Sequence, residues 1–175
     1  MSGQGKISYM SPLRSAIAAI LFGFVVLAGG SAQTEYALAV DGDVSQALHL
    51  GLPDLDKLDH VKVALREHDG TLNNYEGAPI GAVLAKAGLA IGDHVRGKEL
   101  AGYVLVKAQD GYEVVFGLGE LEPTISGRTI VLAYRMDGNA LIPSAGPVRL
   151  VVEDDKKQAR CVRMVTELTV VKLRK

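Results

Sequence analysis

Residues 143–165, PSAGPVRLVVEDDKKQARCVRMV, decide how this chain is read. A Gly-Pro turn leads into an apolar run holding Arg149, then an acid-then-base run, then a second strand-like segment. Apolar stretches on both sides of a charged turn predict two strands, over 148–152 and 161–173. Arg149, Lys156, Lys157, Arg160 and Arg163 all fall within this span. If the two strands pair, several of these cations converge at one end of a sheet. Arginine there offers the bidentate geometry that suits phosphate or another anion. Asp154 and Asp155 offset part of that field, so solvated loop charge is the competing reading.

Working outward, the same reasoning yields strands over 36–40, 61–65, 103–108, 112–117 and 129–135, each ended by a Gly- or Asp-containing turn. Gln109-Asp110-Gly111 predicts a hairpin, because Asp-Gly tolerates the positive φ angles of tight turns. Residues 78–87 (APIGAVLAKA) predict the one clear helix. Ile80, Val83, Leu84 and Ala87 share a face, Pro79 suits the first turn, and Gly88 suits the cap. Residues 48–58 read as loop with a helical turn, and 118–122 as a single turn ended by Pro123. Strands cluster without regular alternation with helices. The expected fold class is therefore α+β, with mixed, mostly antiparallel sheets.

The N-terminus reads as a targeting signal. Lys6 and Arg14 precede an unbroken apolar run, 16–29, and Gly30-Ser31-Ala32 supplies small residues before Gln33. That pattern predicts a secretory signal peptide over 1–32. The apolar run is shorter than the ~20 residues of a membrane span, although an uncleaved anchor is the alternative. The expected mature chain, 33–175, is one domain, periplasmic or secreted, with no stable membrane anchor after cleavage. Losing Lys6 and Arg14 moves the formal net charge from −1 to −3, which gives no support for nucleic-acid binding. The single cysteine excludes an intramolecular disulfide.

Candidate chemistry is sparse. His49, His60, His68 and His94 show no metal-ligand spacing. Cys161 could serve as nucleophile, soft-metal ligand or redox thiol, favoured by Arg160 and Arg163 if they approach it. Strand alternation would turn 161 away from 160, which supports a plain packing role instead. The acids Asp154, Asp155, Glu120 and Glu122 sit in turn-like segments and are expected to be solvated. No residue is assigned a catalytic or metal-binding role.

Taken in order, residues 75–88 (YEGAPIGAVLAKAG), 101–123 (AGYVLVKAQDGYEVVFGLGELEP) and 130–170 resemble the molybdopterin-binding domain of the sulfite oxidase family. The likeness lies in the succession of Gly-x-Pro, short helix, Asp-Gly-Tyr hairpin, Asp-Gly-x-x-Leu, Gly-Pro-x-Arg and Ala-Arg-x-Val-Arg. It implies an α+β fold with short helices and, in true members, a molybdenum–pterin cofactor held by a cysteine thiolate in a segment before the helix. Here the corresponding residues, 61–75, contain no cysteine, and Cys161 stands where similar members carry tryptophan. Glu153 likewise replaces an expected proline. The resemblance thus leaves molybdopterin open as a cofactor and argues against molybdenum.

The resulting expectation is a member without oxygen-atom-transfer activity that binds a small anionic ligand or pterin. Arg149, Lys156, Lys157 and Arg160 would hold it, with Asp110 and Tyr112 counted after their hairpin role. The alternatives are a working molybdenum-cofactor oxidoreductase and an accessory domain that contacts a periplasmic protein partner.

Overall fold

In the computed structural model, residues 37–90 and 92–173 are described; the signal peptide expected over 1–32 lies outside them. Among the described residues there are ten strands: β1 (Leu38–Gly42), β2 (Leu48–Leu50), β3 (Val61–Arg66), β4 (Leu72–Pro79), β5 (Gly102–Ala108), β6 (Glu113–Gly117), β7 (Ile130–Met136), β8 (Asn139–Ala140), β9 (Arg149–Val152) and β10 (Val165–Lys172), of which β3 and β5 are apolar runs with the plainest alternation of burial. One sheet runs β2-β1-β10-β5-β6 and the other β3-β4-β7-β8, with β9 also on β7. The edge of β7 away from β4 is shared end to end by β8 and β9. Among these strands β1 and β10 pair in parallel and every other pair is antiparallel. The α+β class with mixed sheets stands.

The main core lies between the sheets. Val104, Val106, Phe116, Leu168 and Val170 from one side meet Leu132, Leu150 and Val152 from the other. Among the described residues three short α-helices accompany the strands, with several 3₁₀ turns: α1 (Leu52–Leu55), α2 (Ile80–Lys86) and α3 (Pro123–Ser126). Helix α2 buries Ile80, Val83 and Leu84 in the same core, as its spacing predicts. Truncating a fully buried leucine such as Leu132 to alanine costs about 2–5 kcal/mol.

Besides β2, which is strand where 48–58 reads as loop with a helical turn, three local expectations need correction. First, β4 went unread as a strand because LNNYEGAP offers asparagine, glycine and proline, all poor strand formers. Pairing with β3 on one edge and β7 on the other imposes the extended form. A bulge at Glu76/Gly77 brings the backbones so close that a Cβ at Gly77 would sit 2.1 Å from the Leu132 carbonyl oxygen. Because β4 runs up to Pro79, that proline caps α2 instead of lying inside its first turn. Second, Pro123 opens α3 where it was expected to end a turn; Leu118–Leu121 forms a separate 3₁₀ turn before it.

Third, 161–164 is not strand. A 3₁₀ turn, Gln158–Arg160, ends at Cys161, and Met164 takes a positive φ of 49°. The segment instead docks on the β9 region, with Val162 accepting from Leu150 N and Val165 donating to Val148 O, both at 2.8 Å. Strands β9 and β10 therefore belong to different sheets, and the alternation argued for 160–163 does not apply.

This arrangement positions Arg149. All four β9 residues are buried, with Leu150 and Val152 in the inter-sheet core. Val151 and Arg149 face the opposite side of the sheet. There Val151 joins Val63, Leu65, Tyr75, Val131 and Ala133 in a second, smaller cluster.

Candidate functional site

Arg149 and Glu122 are the buried charged residues among those described. A buried guanidinium needs a partner, and Arg149 finds it 82 positions away in Glu67, the residue directly after β3. Arg149 Nη1 donates to Glu67 Oε1 at 2.9 Å, and Nη2 approaches Oε2 at 3.4 Å. Tyr75, on β4, donates its hydroxyl to Glu67 Oε1 at 2.6 Å and accepts from Arg149 Nη1. Its ring lies under the guanidinium, 4.7 Å from Cζ to the centroid. Arg149 Nε is buried and has no acceptor. The triad is thus a charged group locked by two partners with one donor left over.

Electrostatics follow from this packing. Burial works to raise the Glu67 pKa, but the hydrogen bonds from Tyr75 and Arg149 and the Arg149 charge outweigh it and hold the carboxyl below its ordinary value. Burial, reinforced by the carboxylate of Glu67, pushes the Tyr75 phenol up to about 12.

The triad forms one wall of a cleft of about 340 Å³, which also takes in His68, Asp69, Asn73, Ser144 and Arg163. A second, larger cleft of about 860 Å³ adjoins it, sharing Glu67 and His68 and lined by Arg66, Lys156 and Lys157 with Asp154 and Asp155. The first cleft has the size range of small-ligand sites. Two of the predicted site residues, Lys156 and Lys157, stand exposed on the second cleft, while Arg149 lies on the first.

Arg160 is placed elsewhere. It grips Asp155 with Nε at 2.8 Å and Nη2 at 2.7 Å, reaches Glu120 with Nη1 at 2.9 Å, and covers the Phe116 ring. Asp155 also accepts from Arg128. These contacts tie the loop after β9 to the Leu118–Leu121 turn and bring Arg160 into neither cleft. Asp110 accepts from Tyr112 N within the β5–β6 hairpin, and the Tyr112 hydroxyl donates to Ala159 O at 2.6 Å. Asp110 braces the hairpin and Tyr112 ties it to the Gln158–Arg160 turn, whose Ala159 lines the larger cleft; neither Asp110 nor Tyr112 lines a cleft itself.

Glu122, and Asp155 with its side chain only 11% exposed, differ from the sequence reading, whereas Cys161 agrees with the packing role read for it. Glu122 is buried and not solvated: Gly92 N, Thr124 N and the Thr124 hydroxyl all donate to it. Burial works against its charge, and those backbone donors hold its pKa below the ordinary value. Cys161 is half-buried, with Val152 N pointing at Sγ from 3.5 Å, and burial pushes its thiol pKa up. It lines neither cleft.

The description "oxidoreductase molybdopterin binding domain" matches residues 28–175. The chain belongs to this family. A comparison with curated proteins finds no match. Among solved structures, the sulfane dehydrogenase SoxCD from Paracoccus pantotrophus is similar, with a TM-score of 0.59 and 19% identity. That likeness covers 78% of this chain and 38% of the other, and it supports the fold.

The molybdopterin-binding family implies a cofactor, and the residues present can be tested against it. Arg163, Lys156 and Lys157 on the cleft walls offer donors to an anionic group, set against the acids Glu67, Asp69, Asp154 and Asp155. Neither cleft offers molybdenum a protein thiolate. A soft metal calls for thiolate, and the lone thiol is tucked against the β9 backbone outside both clefts, with its pKa raised. Among the described residues no cluster of three or more His, Cys, Asp or Glu side chains could hold a metal ion.

Sequence reasoning missed Glu67, Tyr75, His68 and Asn73. They come from a strand end, a turn and the unread β4, so only the pairing of β3 with β4 gathers them. The sole available signal was Arg149 within an apolar run, which demands a carboxylate without naming it.

Proposed function

We propose that this protein is an exported, ligand-binding member of the molybdopterin-binding family that does not perform oxygen-atom transfer. Its ligand is a small anion or the anionic group of a pterin, seated in the cleft between the Glu67–Gly70 turn and the 141–145 loop. The observation that carries this reading is the buried Arg149, whose Nε has no acceptor at the wall of a cleft that also carries Arg163. Export is supported by the basic, apolar and small-residue succession over 1–32. Cys161, withdrawn against Val152 N, supports the absence of metal chemistry.

The test begins with protein purified after export, assayed for molybdenum content and pterin fluorescence. Thermal shift with pterins, phosphate and sulfate follows. The expected result is substoichiometric molybdenum and a stabilising anionic ligand, adding about 2.7 kcal/mol at 100 times its Kd. Stoichiometric molybdenum, or no stabilisation by any of these probes, overturns the reading.

Leu72 and Ile142, large apolar side chains more than half exposed at the rims of the two clefts, support a second reading. In it the same face docks a protein partner after export. Cross-linking from a photoreactive residue at position 142 in the exporting cell tests it, and absence of a discrete adduct counts against it.

A further inference from the structure

We propose that Glu67 is the cleft's own occupant of the Arg149 anion seat, so that it sets which ligands the cleft accepts. The inference rests on reading the cleft as an anion-binding site. It goes further by assigning a specificity-determining role to a residue that neither the sequence nor the family description singles out.

The argument starts from how a guanidinium binds an oxyanion. Arginine presents its donors as a planar fork, and two parallel N–H···O bonds to one carboxylate or phosphate use up one side of it. In this protein that side is taken from within the chain. Glu67 Oε1 and Oε2 face Nη1 and Nη2 at 2.9 and 3.4 Å, and the Tyr75 hydroxyl completes the set by bonding both partners. The Arg149 side chain is 4% exposed and that of Glu67 14%, so solvent screens this pair little. The second bond of the fork is long, and Nε has no acceptor. A carboxylate carried on the chain therefore fills the seat incompletely.

Glu67 also borders both clefts, and it follows β3 directly, in the turn closed by Gly70 N to Glu67 O. An incoming anion must displace this carboxylate or settle for Arg163 and the lysines at the rim. A weakly basic monoanion such as chloride offers too little to do so. A ligand with a tetrahedral oxyanion and a second anchoring group offers more. Glu67 thereby works as a threshold against small free anions.

The experiment compares sulfate with chloride at matched ionic strength, by thermal shift and by calorimetric titration, on the full mature chain. Sulfate stabilises proteins generally by exclusion from their surfaces, so the specific effect is the excess over a variant without the seat. In Glu67→Gln the amide keeps an acceptor for Tyr75 but frees the fork, and sulfate affinity should rise at least tenfold over the parent. In the Glu67→Gln, Arg149→Met double variant, which buries no lone charge, the excess should vanish. Should Glu67→Gln fail to fold without sulfate, its saturable refolding at sulfate concentrations too low for general exclusion to act, and not on chloride addition, supports the proposal. Glu67→Asp, which keeps the charge on a shorter arm, should then give an intermediate sulfate response.

Equal sulfate affinity in the parent, Glu67→Gln and Glu67→Asp overturns the inference. The two readings fail separately. A parent that binds a pterin or phosphate while Glu67→Gln gains nothing leaves the proposed function and removes the threshold. A parent that binds no probe while Glu67→Gln binds sulfate does the reverse.

Discussion

Arg149 Nη1 lies 2.9 Å from Glu67 Oε1 across 82 positions of sequence, on the sheet face turned away from the main core. A buried pair of this kind is worth less than its breakage costs, because either partner left alone is a stranded charge. Arg149→Met should therefore destabilise the fold by about 3 kcal/mol, at the low end for buried pairs since Glu67 retains some solvent. Glu67→Gln added to it should recover at least half of that loss. Urea unfolding of the two single variants and the double closes the cycle, and simple additivity would contradict the pairing.

Acid should unfold the protein partly through Glu67. Its folded pKa lies below the ordinary 4.5, so the stability it contributes is fully present above that value. It is lost as pH falls through the lower, folded pKa. Glu67→Gln should flatten the stability profile below about pH 4.5 and leave the slope near neutrality unchanged. A variant profile as steep as the parent's below pH 4.5 would remove Glu67 from the account.

Alkali acts on the same triad with the opposite sign. Tyr75 ionises at about 12 in the folded state against 10 when free, so its neutral form supplies stability that is intact below pH 10. That stability drains as pH rises from 10 to 12. Tyr75→Phe should reduce the loss over that interval, measured by circular dichroism. In the parent, the tyrosinate absorbance should show a phenol titrating near 12 that the variant lacks.

Much of this architecture was legible because it rests on local pattern. The alternation in YVLVKA and the spacing of Ile80, Val83, Leu84 and Ala87 fix burial without help from distant residues. β4 was not legible, since its extended form comes from two neighbouring strands and overrides weak propensity. The candidate site suffered the same limit. Arg149 announced itself as a charge in an apolar run, whereas Glu67 and Tyr75 reach it only through the β3–β4 pairing and the descent of β9 along β7. Arg160 misled for the converse reason: it is near Arg149 in sequence, but the loop after β9 swings it onto Asp155 and Phe116.

Arg160 and Arg163, three positions apart, should therefore behave as opposites. Arg160→Ala removes a bidentate bond to Asp155, a bond to Glu120 and the cover over Phe116, and should cost about 1–2 kcal/mol. Its anion binding should match the parent. Arg163 is exposed and lines the smaller cleft, so Arg163→Ala should leave the melting temperature within a degree and weaken anion binding at least fivefold. Thermal melts with and without ligand separate the two, and a binding loss in Arg160→Ala would relocate the site.

Cys161 provides the last discrimination, between a packed thiol and a reactive one. Its Sγ accepts weakly from Val152 N, and its carbon packs against both apolar clusters. Burial is the main reason its thiol pKa is raised, and the charge of Arg149 only partly opposes this. Reaction proceeds through the thiolate, so both the raised pKa and restricted access slow it. Ellman's reagent at pH 8 should label the native protein at least tenfold more slowly than the urea-unfolded chain. Cys161→Ser should cost about 1 kcal/mol, for placing a hydroxyl among apolar neighbours, and leave ligand binding unchanged. Rapid labelling of the native thiol that ligand suppresses would instead put Cys161 at the cleft, and with it reopen metal chemistry for this chain.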